Sequence, residues 1–193
     1  MPEKSDIELI EGYISGEAEF LDVLIKRYLP MVYNFVLRLS GRSADAPDIV
    51  QDIFVKVWRK IESFDREKNF KTWLFTIAHR TVIDWFRKKK EKIFSALSGE
   101  EDLPFEDSLI DAEPLPDEIF SRAEERESLR RLISRLPEKY QTVVYLKYDE
   151  ELTFEEISQV LEVPLNTVKS QYRRALLLLK DMLRNAPKPS SGA

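Results

Sequence analysis

The sequence predicts an all-α protein made of two small helical domains that are joined by a flexible acidic linker. Apolar residues recur at three- and four-residue spacing through most of residues 6–94 and again from about residue 121 to 184, which is the period of helices with one buried side. Between these regions, residues 99–127 carry twelve acidic residues against two arginines, together with three prolines, a composition typical of a linker. We therefore expect a first domain at 1–94, a linker at 95–120, a second domain at 121–186 and a disordered tail at 187–193.

Composition limits the kinds of function that the chain can have. The sequence contains no cysteine, and His79 is its single histidine, which excludes thiolate nucleophiles, disulfides and the usual zinc sites. We accordingly expect no enzymatic activity, no metal site and no cofactor. The acidic N-terminus and the lack of a long apolar run match neither a signal peptide nor a membrane span. These features favour a cytoplasmic protein.

Three helices are expected before residue 62. The first spans Asp6–Ser15, with Asp6 as a candidate cap. The second spans Ala18–Leu39, where Pro30 should kink or divide the helix because it lacks a backbone N–H. The third spans Pro47–Ile61, and its polar side, taken alone, fits either an ordinary solvated face or a docking surface.

A cationic helix follows the third helix after a polar loop. Residues 65–92 hold nine Lys or Arg against four acids, although the whole chain has a formal charge of −5. A helix from about Phe70 would bury a stripe that includes Trp73 and Trp85. Its outward side would carry a mostly polar ridge suited to a nucleic-acid backbone, formed by Thr72, Thr76, His79, Arg80, Ile83 and Arg87 and followed by Lys88.

Phe64 lies in the loop, outside the periodic stripe, beside Ser63, Asn69 and Lys71. A loop aromatic can hold an unstacked base. It can equally be a plug that caps the neighbouring core. The sequence leaves these two alternatives open.

The C-terminal pattern indicates a helix-turn-helix. A helix over Pro137–Tyr148 precedes a turn, and Thr153 and Glu156 match a capping box that starts the next helix. Residues 162–166 interrupt the pattern before a basic helix that opens at Thr167 and runs to about Arg184. A short helix, a tight turn and a second, basic helix are typical of this motif, although the motif also occurs in proteins that bind no DNA.

Taken together, these segments resemble bacterial RNA polymerase sigma factors of the extracytoplasmic-function group. The stretch Asp48–Trp58 (DIVQDIFVKVW) is similar to the family's polymerase-binding helix, and Phe70–Ala78 (FKTWLFTIA) looks like its promoter-melting segment. Leu136-Pro137 followed by Thr153–Lys180 resembles its C-terminal DNA-binding domain. The resemblance covers nearly the whole chain and places the three segments in the family's order.

The resemblance implies a partner or DNA element for each segment. The chain would bind the clamp helices and the flap of core RNA polymerase. The clamp helices would contact Asp48, Gln51, Asp52, Lys56 and Arg59. The minus-10 promoter element would meet Ser63, Phe64, Asn69, Lys71, Arg80, Asp84, Arg87 and Lys88. The minus-35 element would meet Thr167, Lys169, Ser170, Gln171, Arg173 and Arg174. An anti-sigma factor would hold the protein inactive, and the active protein would associate with the bacterial nucleoid.

Two departures from the family pattern bear on promoter sequence. The family commonly has Asn at the position of Arg80, and commonly has Gly and a basic residue at the positions of Asn166 and Gln171. Because Arg favours guanine and Gln favours adenine, the promoter read here is expected to deviate from the usual one. Two other functions fit parts of the sequence: a stand-alone helix-turn-helix regulator, and a protein-interaction adaptor.

Overall fold

A computed structural model describes residues 4–40, 44–94 and 131–184. In the long central helix, side chains are described up to Lys88. The predicted linker at 95–120, the helical pattern near Ser121 and the predicted tail at 187–193 lie outside the described residues. Regular structure in the described ranges is entirely helical, and the all-α prediction is confirmed. The described residues form two compact units: unit 1 contains 4–94 and 155–162, and unit 2 contains 131–154 and 163–184.

Helix α1 spans Asp6–Ile14 and is capped by Ser5, not by Asp6 as predicted. Ser5 has extended dihedral angles, and its hydroxyl accepts from the backbone N–H of Glu8 while the Glu8 carboxylate accepts from the backbone N–H of Ser5. This reciprocal pair is a capping box, and the hydrogen bond from the Ser5 backbone lowers the pKa of Glu8. Asp6 instead accepts from Arg27 and from the hydroxyl of Tyr28, which tie α1 to the second helix.

Gly12 allows α1 to pack closely against the chain that follows it. A Cβ at position 12 would lie 1.9 Å from Cδ2 of Phe20. Replacing Gly12 with Ala should therefore lower the free energy of unfolding by about 1–3 kcal/mol through overpacking, although Ala is the better helix former. Urea unfolding followed by tryptophan fluorescence would measure this, because Trp58, Trp73 and Trp85 all lie in unit 1. Ala at the exposed neighbour Glu11 is the control, and equal stability of the two variants would contradict the packing argument.

Helix α2 spans Glu19–Leu39 as one helix that contains Pro30. Of the two outcomes predicted for Pro30, division of the segment is wrong, and a kink stays a prediction. Buried residues continue on both sides of the proline, from Leu24 and Tyr28 to Val32 and Phe35. Their common packing against the core holds the two halves in one helix despite the missing backbone hydrogen bond.

Helix α3 spans Ala46–Lys60 and is followed by a short 3-10 turn, Ile61–Ser63. Helix α4 then runs over Phe70–Phe94. Aromatic edge contacts join α2 to α4, with ring centroids 5.3 Å apart for Tyr28 and Phe70 and 5.1 Å apart for Phe35 and Phe75. The apolar stripes of α2, α3 and α4 thus share one core, which fixes the outward sides of α3 and α4.

The core of unit 2 lies between two helices and the turn that precedes them. Helix α5 spans Glu138–Tyr148 and α7 spans Leu165–Arg184. The buried cluster comprises Ile133, Leu136, Tyr140, Val144, Ala175, Leu176 and Leu179. Helix α6 spans Phe154–Leu161, and a connection of three residues separates it from α7, so the two predicted helices with a tight turn are present in the chain order expected.

Candidate nucleic-acid interface

The loop before α4 is exposed and held by local hydrogen bonds. Oδ1 of Asn69 accepts from the backbone N–H of Thr72 at 3.1 Å, so Asn69 caps the helix. The Ser63 hydroxyl donates to the carbonyl of Lys60 at 2.8 Å. A turn at Asp65, whose side chain accepts from the backbone of Glu67, connects them. Ser63 and Asn69, two of the candidate DNA-binding residues, are therefore both exposed. Asn69 also stabilises the start of α4.

Phe64 is buried, with 2% of its surface exposed. Its ring lies 5.5 Å from that of Phe70 and 5.0 Å from that of Trp73, measured between centroids. In this conformation the side chain is a plug against the core of unit 1, the second of the two alternatives. A flipped base would have to displace it or stack on the exposed loop around it.

The outward side of α4 carries most of the predicted ridge. Arg80, Ile83, Arg87 and Lys88 are exposed, and Thr76 is half-buried. Thr72 is not open to solvent as predicted, since it is only 5% exposed and its hydroxyl contacts Glu156. Burial lowers the pKa of the half-buried His79, which favours its neutral form at neutral pH. The remaining candidates, Lys71 and Asp84, are half-buried at the sides of the ridge.

Arg80 is engaged by a carboxylate within unit 1. Its Nε and Nη2 donate to the two oxygens of Glu162 at 2.9 and 2.5 Å. The side-chain hydrogen bond lowers the pKa of Glu162 and raises that of Arg80, so both groups stay charged at neutral pH. Two turns earlier on α4, the Thr72 hydroxyl donates to Oε1 of Glu156 at 3.0 Å.

Further along α4 the cations are more open. Arg87 forms an exposed ion pair with Asp84 at 3.0 Å on the same helix, a contact that contributes little energy. Its guanidinium can exchange that partner for a phosphate at small cost. Lys88 continues the cationic line at the next position.

The predicted docking side of α3 is largely exposed. Asp48, Gln51, Asp52 and Arg59 point away from the buried stripe formed by Ile49, Val50, Ile53 and Val57. Lys56 differs from them because it is half-buried and donates from Nζ to the Thr81 hydroxyl at 3.0 Å. Lys56 therefore links α3 to α4 in this structure.

Sequence reasoning missed two exposed groups near these surfaces. The apolar period of α3 would include Trp58 in the buried stripe, but 52% of its surface is exposed, and its indole N–H donates to the hydroxyl of Tyr13 at 2.7 Å. Trp58 follows Gln51 by seven residues, so both lie on the same side of α3. This spacing could have predicted the exposure of Trp58. Arg66, an exposed cation in the loop, was also omitted.

On α7 the buried residues Val168, Ala175, Leu176 and Leu179 define the inner side. Helical geometry places Ser170, Arg173 and Arg174 on the opposite side. Gln171 lies closer to the inner side, Thr167 lies about as far from it as Arg173, and Lys169 is exposed at the flank. The Ser170 hydroxyl donates to the carbonyl of Thr167 at 2.9 Å, and Arg173 and Arg174 are half-buried with interactions of their own.

Comparison with known proteins shows which family the chain belongs to. Residues 24–92 match the family model of Sigma-70 region 2, and residues 126–179 match that of Sigma-70, region 4. The ECF RNA polymerase sigma factor SigW of Bacillus subtilis is 32% identical over 172 residues, which cover 88% of this chain and 92% of SigW. This chain belongs to the ECF RNA polymerase sigma factors. The resemblance predicted from the motifs is confirmed.

Solved sigma factor structures share the fold. The sigma factor RpoE from Bartonella quintana, solved in complex with the anti-sigma factor NepR, is similar with a TM-score of 0.63 at 23% identity, over 86% of this chain and 98% of that chain. CnrH, solved in complex with the cytosolic domain of CnrY, gives a TM-score of 0.64 at 21% identity, over 95% of this sigma factor and all of that chain. At this identity the likeness establishes the fold.

The family matches place α3 and most of α4 in region 2, and α5, α6 and most of α7 in region 4. None of the helices in the described part of this sigma factor is both long and apolar enough to cross a membrane.

Proposed function

We propose that this sigma factor binds core RNA polymerase, directs it to promoters by reading a minus-10 and a minus-35 element, and assists promoter melting. One observation carries the proposal: regions 2 and 4 occur in one chain, in family order, with 92% of SigW covered. In our proposal the exposed side of α3 binds the clamp helices, α4 and its preceding loop meet the minus-10 element, and α7 meets the minus-35 element. The domain bounds 1–94 and 121–186 belong to the same proposal.

The chemistry of the surfaces supports this division. Arg87 and Lys88 on α4, and Lys169 on α7, are exposed cations that suit phosphate oxygens. Arginine can also pair with guanine, and glutamine with adenine, through two hydrogen bonds each. Polymerase supplies the bond-making steps, so the sigma factor needs only to bind and position. We place it in the bacterial cytoplasm, associated with the nucleoid when active.

An anti-sigma factor completes the proposed function. RpoE and CnrH, the structural neighbours, were each solved with a partner, NepR and the cytosolic domain of CnrY respectively. We infer that this sigma factor is also held inactive by a protein partner. A screen for proteins that suppress its transcriptional activity would test this inference.

Run-off transcription tests the main proposal. Core polymerase would be incubated with a genomic fragment library, with and without the purified chain, and the transcript ends sequenced. New starts that share upstream elements at two fixed distances are expected. Tight sequence-specific binding by the chain alone, without new transcripts, would instead support the stand-alone regulator.

The proposed role of α3 gives a separate prediction. Asp52→Lys places a cation on the exposed docking side, so transcription and binding to core polymerase should fall about tenfold or more through unfavourable charge at the interface. DNA binding by the free chain should not fall, since α4 and α7 are unchanged. Glu11→Lys, an exposed acid on α1 with the same charge change, is the control. Equal loss in both variants would show that overall charge, not this surface, is responsible.

A further inference from the structure

Two acidic side chains contact the side of α4 that would read the minus-10 element. Glu162 receives both donors of the Arg80 fork, and Glu156 receives the Thr72 hydroxyl. Thr72 and Arg80 are eight residues apart on α4, and the two glutamates lie at opposite ends of the segment 155–162, all within unit 1. Two separated contacts therefore fix this segment along the N-terminal half of α4.

The backbone at Glu162 adopts a conformation that is uncommon for glutamate. Its φ is +58°, in the left-handed region that glycine and asparagine favour just after a helix. A glutamate at this position costs conformational free energy that Gly would avoid. In this conformation the Glu162 side chain binds Arg80 through two oxygens.

We propose that Glu156 and Glu162 form an acidic latch that occupies Thr72 and Arg80 in the free chain and competes with promoter DNA. A carboxylate facing the guanidinium fork takes the donors that guanine O6 and N7, or a phosphate, would take. The Arg80–Glu162 contact is exposed, with 58% of the Arg80 side chain and 51% of the Glu162 side chain open to solvent, whereas Thr72 is only 5% exposed. Such a latch is weak and opens readily, which suits a block that must yield when polymerase and DNA arrive. The role of Arg80 in this inference rests on the proposed function.

The test measures DNA binding by the full chain without polymerase. The probe is a fluorescein-labelled pool of random-sequence duplex DNA of 30 base pairs, followed by anisotropy at low salt. Glu162→Gln removes the charge and keeps the shape, so the affinity should rise about two- to fivefold, the size expected for release of an exposed ion pair. Glu162→Gly should give the same gain in DNA affinity without backbone strain. This second variant keeps the test valid if Glu162→Gln misfolds.

Matched variants decide the outcome. Glu155→Gln removes the same charge one residue from Glu156 on an exposed position, and it should leave the affinity unchanged. Adding Arg80→Ala to Glu162→Gln should abolish the gain. No gain in either Glu162 variant, or an equal gain in Glu155→Gln, would overturn the latch. Run-off transcription by the wild-type chain is read separately, so failure of the sigma factor function is distinguished from failure of the latch.

Discussion

Replacing Phe64 with Ala should lower the free energy of unfolding of unit 1 by about 3–5 kcal/mol, the usual loss for a buried phenylalanine. The ring is 2% exposed and packs against Phe70 and Trp73. Truncation would leave a cavity between the loop and α4 and would remove both aromatic contacts. Urea unfolding followed by tryptophan fluorescence reports this unit directly, since Trp73 is itself one of the contacts.

Controls separate the plug from the base-capture hypothesis. Phe64→Leu keeps most of the apolar volume and should lose much less stability than Phe64→Ala. Lys68→Ala, on a side chain in the same loop that is 71% exposed, should leave stability nearly unchanged. If Phe64→Ala unfolds at the wild-type urea concentration yet no longer opens promoters, the side chain acts on DNA and the plug interpretation fails.

The sequence predicted the helical periods and hence the outward sides of α3 and α4. Asp48 and Arg59 on α3, and Arg80 and Arg87 on α4, are exposed as the 3.6-residue period requires. This success has a simple cause: a helix that buries one stripe leaves the opposite side to solvent. The same reasoning could not place Phe64, because a loop residue has no period.

Contacts between segments distant in sequence were not predictable either. Periodicity placed Thr72 on the outward side of α4, but it is buried and bonded to Glu156, 84 residues away. Glu156 was interpreted as half of a capping box, which used only local spacing. The apolar period of one helix does not show which other segment of the chain packs on that helix.

The capping of α1 shows the limit of local rules at one-residue precision. Both Ser5 and Asp6 are good capping residues, and Ser5 has the better supporting pair because Glu8 stands three residues after it. Asp6 is then free to accept from Arg27 on α2. The capping box with Glu8 therefore favours Ser5, and the contact of Asp6 with Arg27 adds a tertiary reason that local spacing does not show.

Substituting both Arg173 and Arg174 with Ala should reduce promoter-dependent transcription about a hundredfold if α7 reads the minus-35 element. Each lost contact of arginine to a base or phosphate costs about 1–3 kcal/mol, and both residues lie on the side of α7 opposite its buried stripe. The slope of log binding constant against log salt concentration should also become shallower by about 0.9 for each phosphate contact that is removed. Binding to core polymerase should persist, because α3 is untouched.

The control for this prediction lies on the same helix. Lys180→Ala with Arg184→Ala removes the same charge from the C-terminal end of α7, away from the proposed DNA contacts, and should retain most activity. Arg173→Lys with Arg174→Lys keeps the charge but loses the paired donors of guanidinium, so retained affinity with relaxed sequence preference would assign these residues to base reading. Unchanged transcription in the double alanine variant, with the fold intact by circular dichroism, would instead favour the protein-interaction adaptor, since an adaptor has no need of cations at this position.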